Sequence, residues 1–522
     1  MKTTFKFIST GLMAMLVLLF SNSCRDGLEE LNQPPTSVTS INPNFVFSAV
    51  QKDNAFYSTQ WVKLLQYGSW VQHFGDADQG FTTSHYQSIT SYDNGFFGGN
   101  YSLLSEITQI EQDLLAGLEN EPEGRSRIAI ADILAADIWE RTTALVGDIP
   151  YSEAVQGVEN PNTLPAYDPQ QEIYPQIITD LDNAIAQITD GDVSYGSADF
   201  FYNGDFDQWR MLGNSLKLKI GMRVKFADPA LAQQTVTAAM GGPLMESNDD
   251  NADIVTFSAN GQGANANPLL STYRPRPNGE SGKPFIGEEL INTLMEKNDP
   301  RLTVIAEPTE NSKKVFAETG NPDDLVYRGM MPALSFDQYN AVNLSDFSYP
   351  SFSVMISEEV ARPATTMNYA EVSFLKAEAA LEGWGATEAE AEQFYQDGIR
   401  AALTMNVYGD FISDAEVEAY MASEEAQLTG TKEEKIQKIA VQKWIALFDR
   451  SFEAFFEWRR LGYPQLDPGE NPGETNGTIP RRGKYSTTEA ALNQANYVAA
   501  VNRQGPDTFT TRIWIDANPN IE

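Results

Sequence analysis

The 522-residue sequence predicts a mainly α-helical protein whose helices come in hairpin pairs and carry a loop-rich face. Two observations predict it. Apolar residues recur at spacings of three and four through much of the chain, which places them on one side of a helix. Residues 240–360 break that rhythm and are rich in Asn, Gly, Pro and Ser, the composition of loops, short strands and short helices.

The N-terminus reads first as an export signal. Lys2 and Lys6 precede an apolar run from Phe7 to Phe20, followed by Ser21-Asn22-Ser23-Cys24. A basic start, a short apolar stretch and small residues before a cut mark a signal peptide, residues 1–23, rather than a membrane-spanning helix. Cys24 is the chain's only cysteine, so it cannot form an intramolecular disulfide. Lipidation of Cys24 gives it a role; plain cleavage after Ser21-x-Ser23 is the rival reading. Residues 24–44 then form a lipidated N-terminus and flexible tether, with Pro34-Pro35 and few large apolar groups. A single helical domain follows, 45–522, with the loop-rich insertion at about 240–360.

The helices follow in order. Leu103, Leu104, Ile107, Ile110, Leu114 and Leu118 make one stripe; Ile128, Ala131, Leu134, Ile138 and Leu145 make the next. Asp168-Pro169 opens a helix through Ile188, as an N-cap acid before Pro at N1 does. Trp209 to Val224 follows and stops before Asp228-Pro229; Tyr369–Leu381 and Ile436–Phe456 are two more. Thr387 with Glu390, Ser413 with Glu416 and Thr431 with Glu434 are capping boxes. No strict period of about 34 residues is visible.

Charge removes several functions. With 72 acidic against 36 basic residues the net charge is −36, which argues against nucleic acid, whose phosphates need Lys and Arg. Two histidines cannot make a three-His metal site, and there is no HExxH, no GxSxG and no nucleophilic cysteine. Asp249-x-Asn251-x-Asp253 starts like an EF-hand loop but fails at Ile254 and Asn260. We therefore expect no enzyme and no cofactor and assign no metal ligands, leaving open a calcium site of a kind other than an EF-hand. A surface-anchored glycoside hydrolase and a repeat protein without a small ligand are the alternatives from other classes.

A series of motifs carries a resemblance. Gly147-Asp148-Ile149-Pro150-Tyr151 follows a helix; Trp209 precedes Asn214-Ser215-Leu216-Lys217; then come Asn298-Asp299-Pro300-Arg301 and Lys376-Ala377-Glu378-Ala379. Glu457-Trp458-Arg459-Arg460-Leu461-Gly462-Tyr463-Pro464, Pro480-Arg481-Arg482 and Arg512-Ile513-Trp514 close the series. In order and spacing the chain resembles the SusD/RagB-like outer-membrane lipoproteins, in the branch with GDIPY and EWRRxGYP signatures. Ile515 departs from the second Trp often found there. The resemblance implies TPR-like helical-hairpin repeats, a lipid anchor in the outer membrane and exposure at the cell surface. It implies a SusC-type TonB-dependent transporter as partner and capture of an oligosaccharide or, as in RagB-like members, a peptide.

The signature residues read as structural. Gly147-Asp148 is a helix stop, Trp458 packs, and the arginines pair with carboxylates or helix-end carbonyls. Ligand capture needs flat rings beside hydrogen-bonding side chains, because a sugar has an apolar face and a polar rim. The stretch Trp70–Tyr101 has that mix and both histidines, which nominates Trp70, Gln72, His73, Tyr86 and Tyr92. Arg274 and Tyr339 are nominated from the 273–340 loops.

Overall fold

The structure is a computed structural model that describes residues 42–59, 61–75, 83–118, 124–157, 161–256, 284–351 and 362–521. Cys24, the tether before residue 42 and Arg274 lie outside the described residues.

Helices dominate, as the stripes require. In order they are α1 (Pro43–Thr59), α2 (Trp61–Trp70), α3 (Thr90–Leu118), α4 (Arg125–Val146), α5 (Gln170–Gln187), α6 (Phe206–Arg223) and α7 (Pro229–Met240). The loop-rich stretch holds α8 (Glu288–Glu296), α9 (Arg301–Ile305), α10 (Glu310–Thr319) and α11 (Phe336–Ala341). Then come α12 (Tyr369–Glu382), α13 (Ala391–Thr404), α14 (Asp414–Met421), α15 (Lys432–Ala446), α16 (Ser451–Leu461), α17 (Thr487–Leu492) and α18 (Gln494–Gln504). Among the described residues the one sheet is β1 (Asp253–Ile254) antiparallel to β2 (Ala364–Thr365). Neighbouring helices pack as pairs: α3 on α4, α4 on α5, α6 on α7, α12 on α13 and α15 on α16.

Sequence chemistry sets the ends. Thr431 accepts from the Glu434 N–H while the Glu434 carboxylate accepts from the Thr431 N–H, and Ser413–Glu416 does the same. Gly147 stops α4 with φ 92°, a backbone that suits only glycine well. α6 stops before Asp228-Pro229 as expected, and that pair opens α7: the Asp228 side chain accepts from the Leu231 N–H, and Pro229 occupies N1. Three expectations shift. Pro169, not Asp168, is the N-cap of α5, and the Asp168 carboxylate accepts instead from the Tyr151 and Ser152 N–H groups at 3.0 and 2.8 Å. The expected helix Ile436–Phe456 is two helices, because Asp449 turns the chain at φ 76° and Arg450 bonds Glu371. Pro43-Asn44, placed in the tether, already belong to α1.

One hydrophobic core runs through the helical body, with Trp209, Trp444 and Trp458 buried in it. Charge is buried there too. Arg223 of α6 meets Glu140 of α4 at 3.1 Å and Glu453 and Glu457 of α16 at 2.6 and 2.7 Å. Lys219 joins Asp137 at 3.0 Å and Glu453 at 3.4 Å. Arg460 grips Glu378 of α12 with two 2.6 Å bonds, and Lys443 of α15 joins Glu457. The pairs form one continuous network stitching five helices. The EWRR arginines divide the expected work: Arg460 takes carboxylates, while Arg459 donates to the Ala144 carbonyl at the end of α4 at 2.7 Å. Burial pushes the Glu378 carboxyl up, but Arg460, Lys225 and Lys443 outweigh it and hold it at about 2.

Candidate functional site

A face of irregular backbone sits beside this body. After α2 ends at Trp70, residues 71–75 run across the edge of segment 284–287: Phe74 bridges Ile286, Gly75 N–H donates to Phe285 O at 2.8 Å, and Gly287 N–H to His73 O at 3.0 Å. Met330 N–H donates back to Ile286 O at 2.8 Å, and Ile286 N–H to Ser348 O at 3.0 Å. Gly287 is required: a Cβ there would stand 2.0 Å from the Gln72 carbonyl oxygen. A small separate core lies beneath, with Phe285, Met330, Leu334 and Phe347 buried and Tyr339 and Tyr349 packed on it. Phe285 and Tyr349 stack with centroids 4.6 Å apart.

A strap of chain, residues 463–479, wraps this face. Gln72 Nε2 donates to the Asp467 carbonyl, Asn471 Nδ2 to the Ala333 carbonyl at 3.0 Å, and Gln338 Nε2 to Glu470 at 2.7 Å. Glu474 accepts from the Ser88 N–H at 2.9 Å, and Gly473 lies where a Cβ would meet His85 O at 1.9 Å. Gln72, Tyr86 and Ala333 all sit at positive φ, 58°, 50° and 47°. Each such residue costs about 1–3 kcal/mol and persists where the surroundings over-determine it, as functional sites do. The strap was missed at sequence level. Its signal was the Pro/Gly/Asn run Asp467–Gly477 directly after the EWRRLGYP signature.

The structure thus brings Gln72, His73, Tyr86 and Tyr339 to one region, but their surroundings correct the expectation of an exposed aromatic loop. Trp70 is 1% exposed, edge-on to Tyr67, Phe455 and Phe509 at 4.7, 5.1 and 5.4 Å; it is core. His73 is fully buried, and its Nε2 must donate to the Trp444 carbonyl at 2.9 Å, since a carbonyl only accepts. Burial holds its imidazole at about 3, so it stays neutral and offers a ligand no charge. Tyr86 is buried as well, and burial pushes its phenol up. Only the end of the stretch, from Thr90 on, is α3, with Phe96 and Phe97 facing the core; ahead of it Trp70 packs on Phe455 of α16 and His73 on Trp444 of α15. Gln72 is likewise buried and acts on the strap rather than toward solvent.

Tyr92 and Tyr339 remain half-buried, with Tyr349, Gln338 and Asn471 also half-buried and Glu470 and Glu474 exposed. Rings beside amides and carboxylates are the chemistry of sugar recognition. Below Tyr92, burial raises the Asp93 carboxyl to about 6 against the bond from Ser88 and the charge of Lys484. The EF-hand-like residues are spent structurally: Asn251 Oδ1 accepts from the Tyr369 N–H at 2.8 Å and Asp253 from Thr365. Among the described residues no group of three or more His, Cys, Asp and Glu is placed to hold a metal, and no helix is long and apolar enough to cross a membrane.

Comparison with known proteins agrees with this architecture. A protein described as chitin-binding is 27% identical, superposes with a TM-score of 0.77, and the match covers 91% of this chain and 100% of that one. A SusD homologue from Bacteroides uniformis is 25% identical with a TM-score of 0.75, covering 92% and 100%. A chitin-binding SusD homologue from Flavobacterium johnsoniae shares the fold at 24% identity and a TM-score of 0.73, covering 91% and 99%. No relative with a curated description matches. The family profile described as "Starch-binding associating with outer membrane" matches residues 35–486, and the chain belongs to this SusD-like family.

Proposed function

We propose that the chain is a non-enzymatic capture protein, anchored to the outer membrane through lipid on Cys24. It takes up an oligomeric glycan on the face between Tyr92, Tyr339 and the strap and passes it to a SusC-type TonB-dependent transporter. The observation that carries the glycan reading is membership of a starch-binding family together with a 27%-identical chitin-binding protein matching over 91% of the chain. The face suits a weak grip: a few half-buried rings and amides support affinities on the order of micromolar to millimolar. Such a grip lets cargo leave toward a transporter.

Titration calorimetry of the mature protein with chitohexaose, maltoheptaose and a mixed-sequence hexapeptide tests the ligand class. Saturable binding of a glycan supports it; binding of the peptide alone replaces it with a peptide receptor, and release of reducing ends replaces it with a hydrolase. For the anchor, Cys24→Ala is expected to fold but to leave the membrane fraction in cells lacking the transporter. Retention in detergent-requiring fractions there would exclude lipid as the anchor.

A further inference from the structure

A cleft of about 790 Å³ is lined by strap residues Tyr463, Gln465, Leu466 and Ile479, none of them among the residues that bond the strap to the face. That volume lies within the range of ligand pockets, about 300–1,000 Å³. Its apolar floor comes from the signature helix and its neighbours: Trp458 and Leu461 of α16, Ile436 of α15, and Ile479. Tyr463 and Phe226, both half-buried, supply ring surface at the opening. The rim is polar: Lys432, Glu433 and Gln465 are exposed there, and the Tyr463 hydroxyl donates to Glu433 at 2.8 Å.

The charges decide the class of ligand. Lys225 pairs with Glu378 at 3.1 Å and with Glu382 at 2.7 Å. Lys432 pairs with the other Glu382 oxygen at 2.7 Å, and Arg481 is taken by Asp516. Every cation lining the cleft therefore has a carboxylate. A small counter-ion has nothing to neutralise here, whereas a hydroxyl-rich neutral molecule finds rings below and donors and acceptors around. The wall is also held in place. Trp458 Nε1 donates to Pro464 O at 3.1 Å, Gln465 Nε2 to Gly462 O at 2.8 Å, and Asn518 Nδ2 to Arg460 O at 2.8 Å.

We propose that this cleft is a second saccharide subsite, separate from the face, which takes a neutral segment of an oligosaccharide. One sugar ring rests on Tyr463, and its hydroxyls bond to Lys432, Glu433 and Gln465. The proposal rests on the glycan reading above. Two sites on one chain would let a long glycan engage at two points, and avidity then exceeds either weak grip alone.

Hydrogen exchange of the mature protein, with and without saturating chitohexaose or maltoheptaose, tests it. We expect several-fold slower exchange at amides of 463–466 and 477–479 as well as at 72–75 and 330–339. Tyr463→Ala and, because Lys432 is a surface residue, Lys432→Ala should abolish the first protection and leave the second. Protection of the strap that survives both variants is transmitted from the face through Gln72 and Asn471, and overturns the cleft. Protection at the face alone overturns the cleft and keeps glycan capture. No protection anywhere with either sugar overturns glycan capture and this subsite with it.

Discussion

Ion pairs link α4, α6, α12, α15 and α16 to one another, whereas the segments of the face are linked by backbone hydrogen bonds. Glu457 alone meets Arg223, Arg460 and Lys443. On the face, segments 72–75, 284–288, 328–330 and 347–349 trade backbone hydrogen bonds without forming a regular sheet. The helical body places charge opposite charge at fixed helix positions, so its geometry is set by many redundant pairs. The face is held by close backbone approaches, by positive φ at Gln72 and Tyr86, and by a strap that bonds Gln72, Ala333 and Gln338. A rigid body carrying a face of locally determined backbone allows recognition to change without touching the fold.

The largest effect is expected at the network. Glu378→Gln leaves Arg460, Lys225 and Lys443 short of a carboxylate in the interior, and removing one partner of a buried pair costs about 3–5 kcal/mol. Urea unfolding should show that loss, while glycan affinity measured on the folded fraction stays unchanged. Equal loss of affinity would mean that body and face are not separable. The pH dependence has the matching sign. Glu378 is held at about 2, below its ordinary value, so its contribution is present above about pH 4.5 and is lost only as pH falls toward 2.

Trp70→Ala tests the boundary. The ring is 1% exposed among Tyr67, Phe455 and Phe509, so truncation should cost about 3–5 kcal/mol, read as a lowered unfolding midpoint. An unchanged midpoint with lost glycan binding would return Trp70 to the ligand site.

How far these regions were legible follows from their physics. The helices were readable because an apolar stripe is a local pattern: α4 and α6 lie within a few residues of their stripes. Their ion pairs were not, since Arg223 and Glu453 are 230 residues apart and no local rule joins them. The roles of Arg459 and Arg460 were anticipated because arginines in a buried helix must find acceptors. The face was readable only as a place where periodicity fails. Trp70, His73 and Tyr86 were misjudged because an aromatic beside Gln and Asp looks the same in sequence whether it meets a sugar or the next helix. Burial is decided by chain segments hundreds of positions away, such as Trp444 over His73.

Asp93 sharpens the contrast with Glu378. Here burial wins, and the carboxyl is raised to about 6 from 3.8. The folded state therefore binds the proton more tightly than the unfolded chain. Its stabilising contribution is full below about pH 3.8 and disappears as pH rises through 6, up to about 3 kcal/mol by the conversion of 1.36 kcal/mol per pKa unit. Asp93→Asn, which keeps an acceptor for Ser88, should flatten that decline between about pH 4 and 6 in thermal unfolding. An unaltered pH profile would place the titration elsewhere.

Tyr339 should give the smallest effect on stability and the clearest on function. It is half-buried against the small core of Phe285, Met330, Leu334 and Phe347, which is separate from the main core. Loss of its ring therefore removes packing that the helical body does not share. Tyr339→Phe keeps the ring, and Tyr339→Ala removes it. On the proposed capture face, Ala should cost about 1 kcal/mol of stability, typical of a partly exposed side chain. It should also weaken chitohexaose or maltoheptaose several-fold, because a stacked ring is a large share of a weak affinity. Phe should bind nearly as the parent if stacking carries the contact, and as poorly as Ala if the hydroxyl does. If both variants bind like the parent while melting lower, Tyr339 belongs to the support of the face rather than to its contact surface.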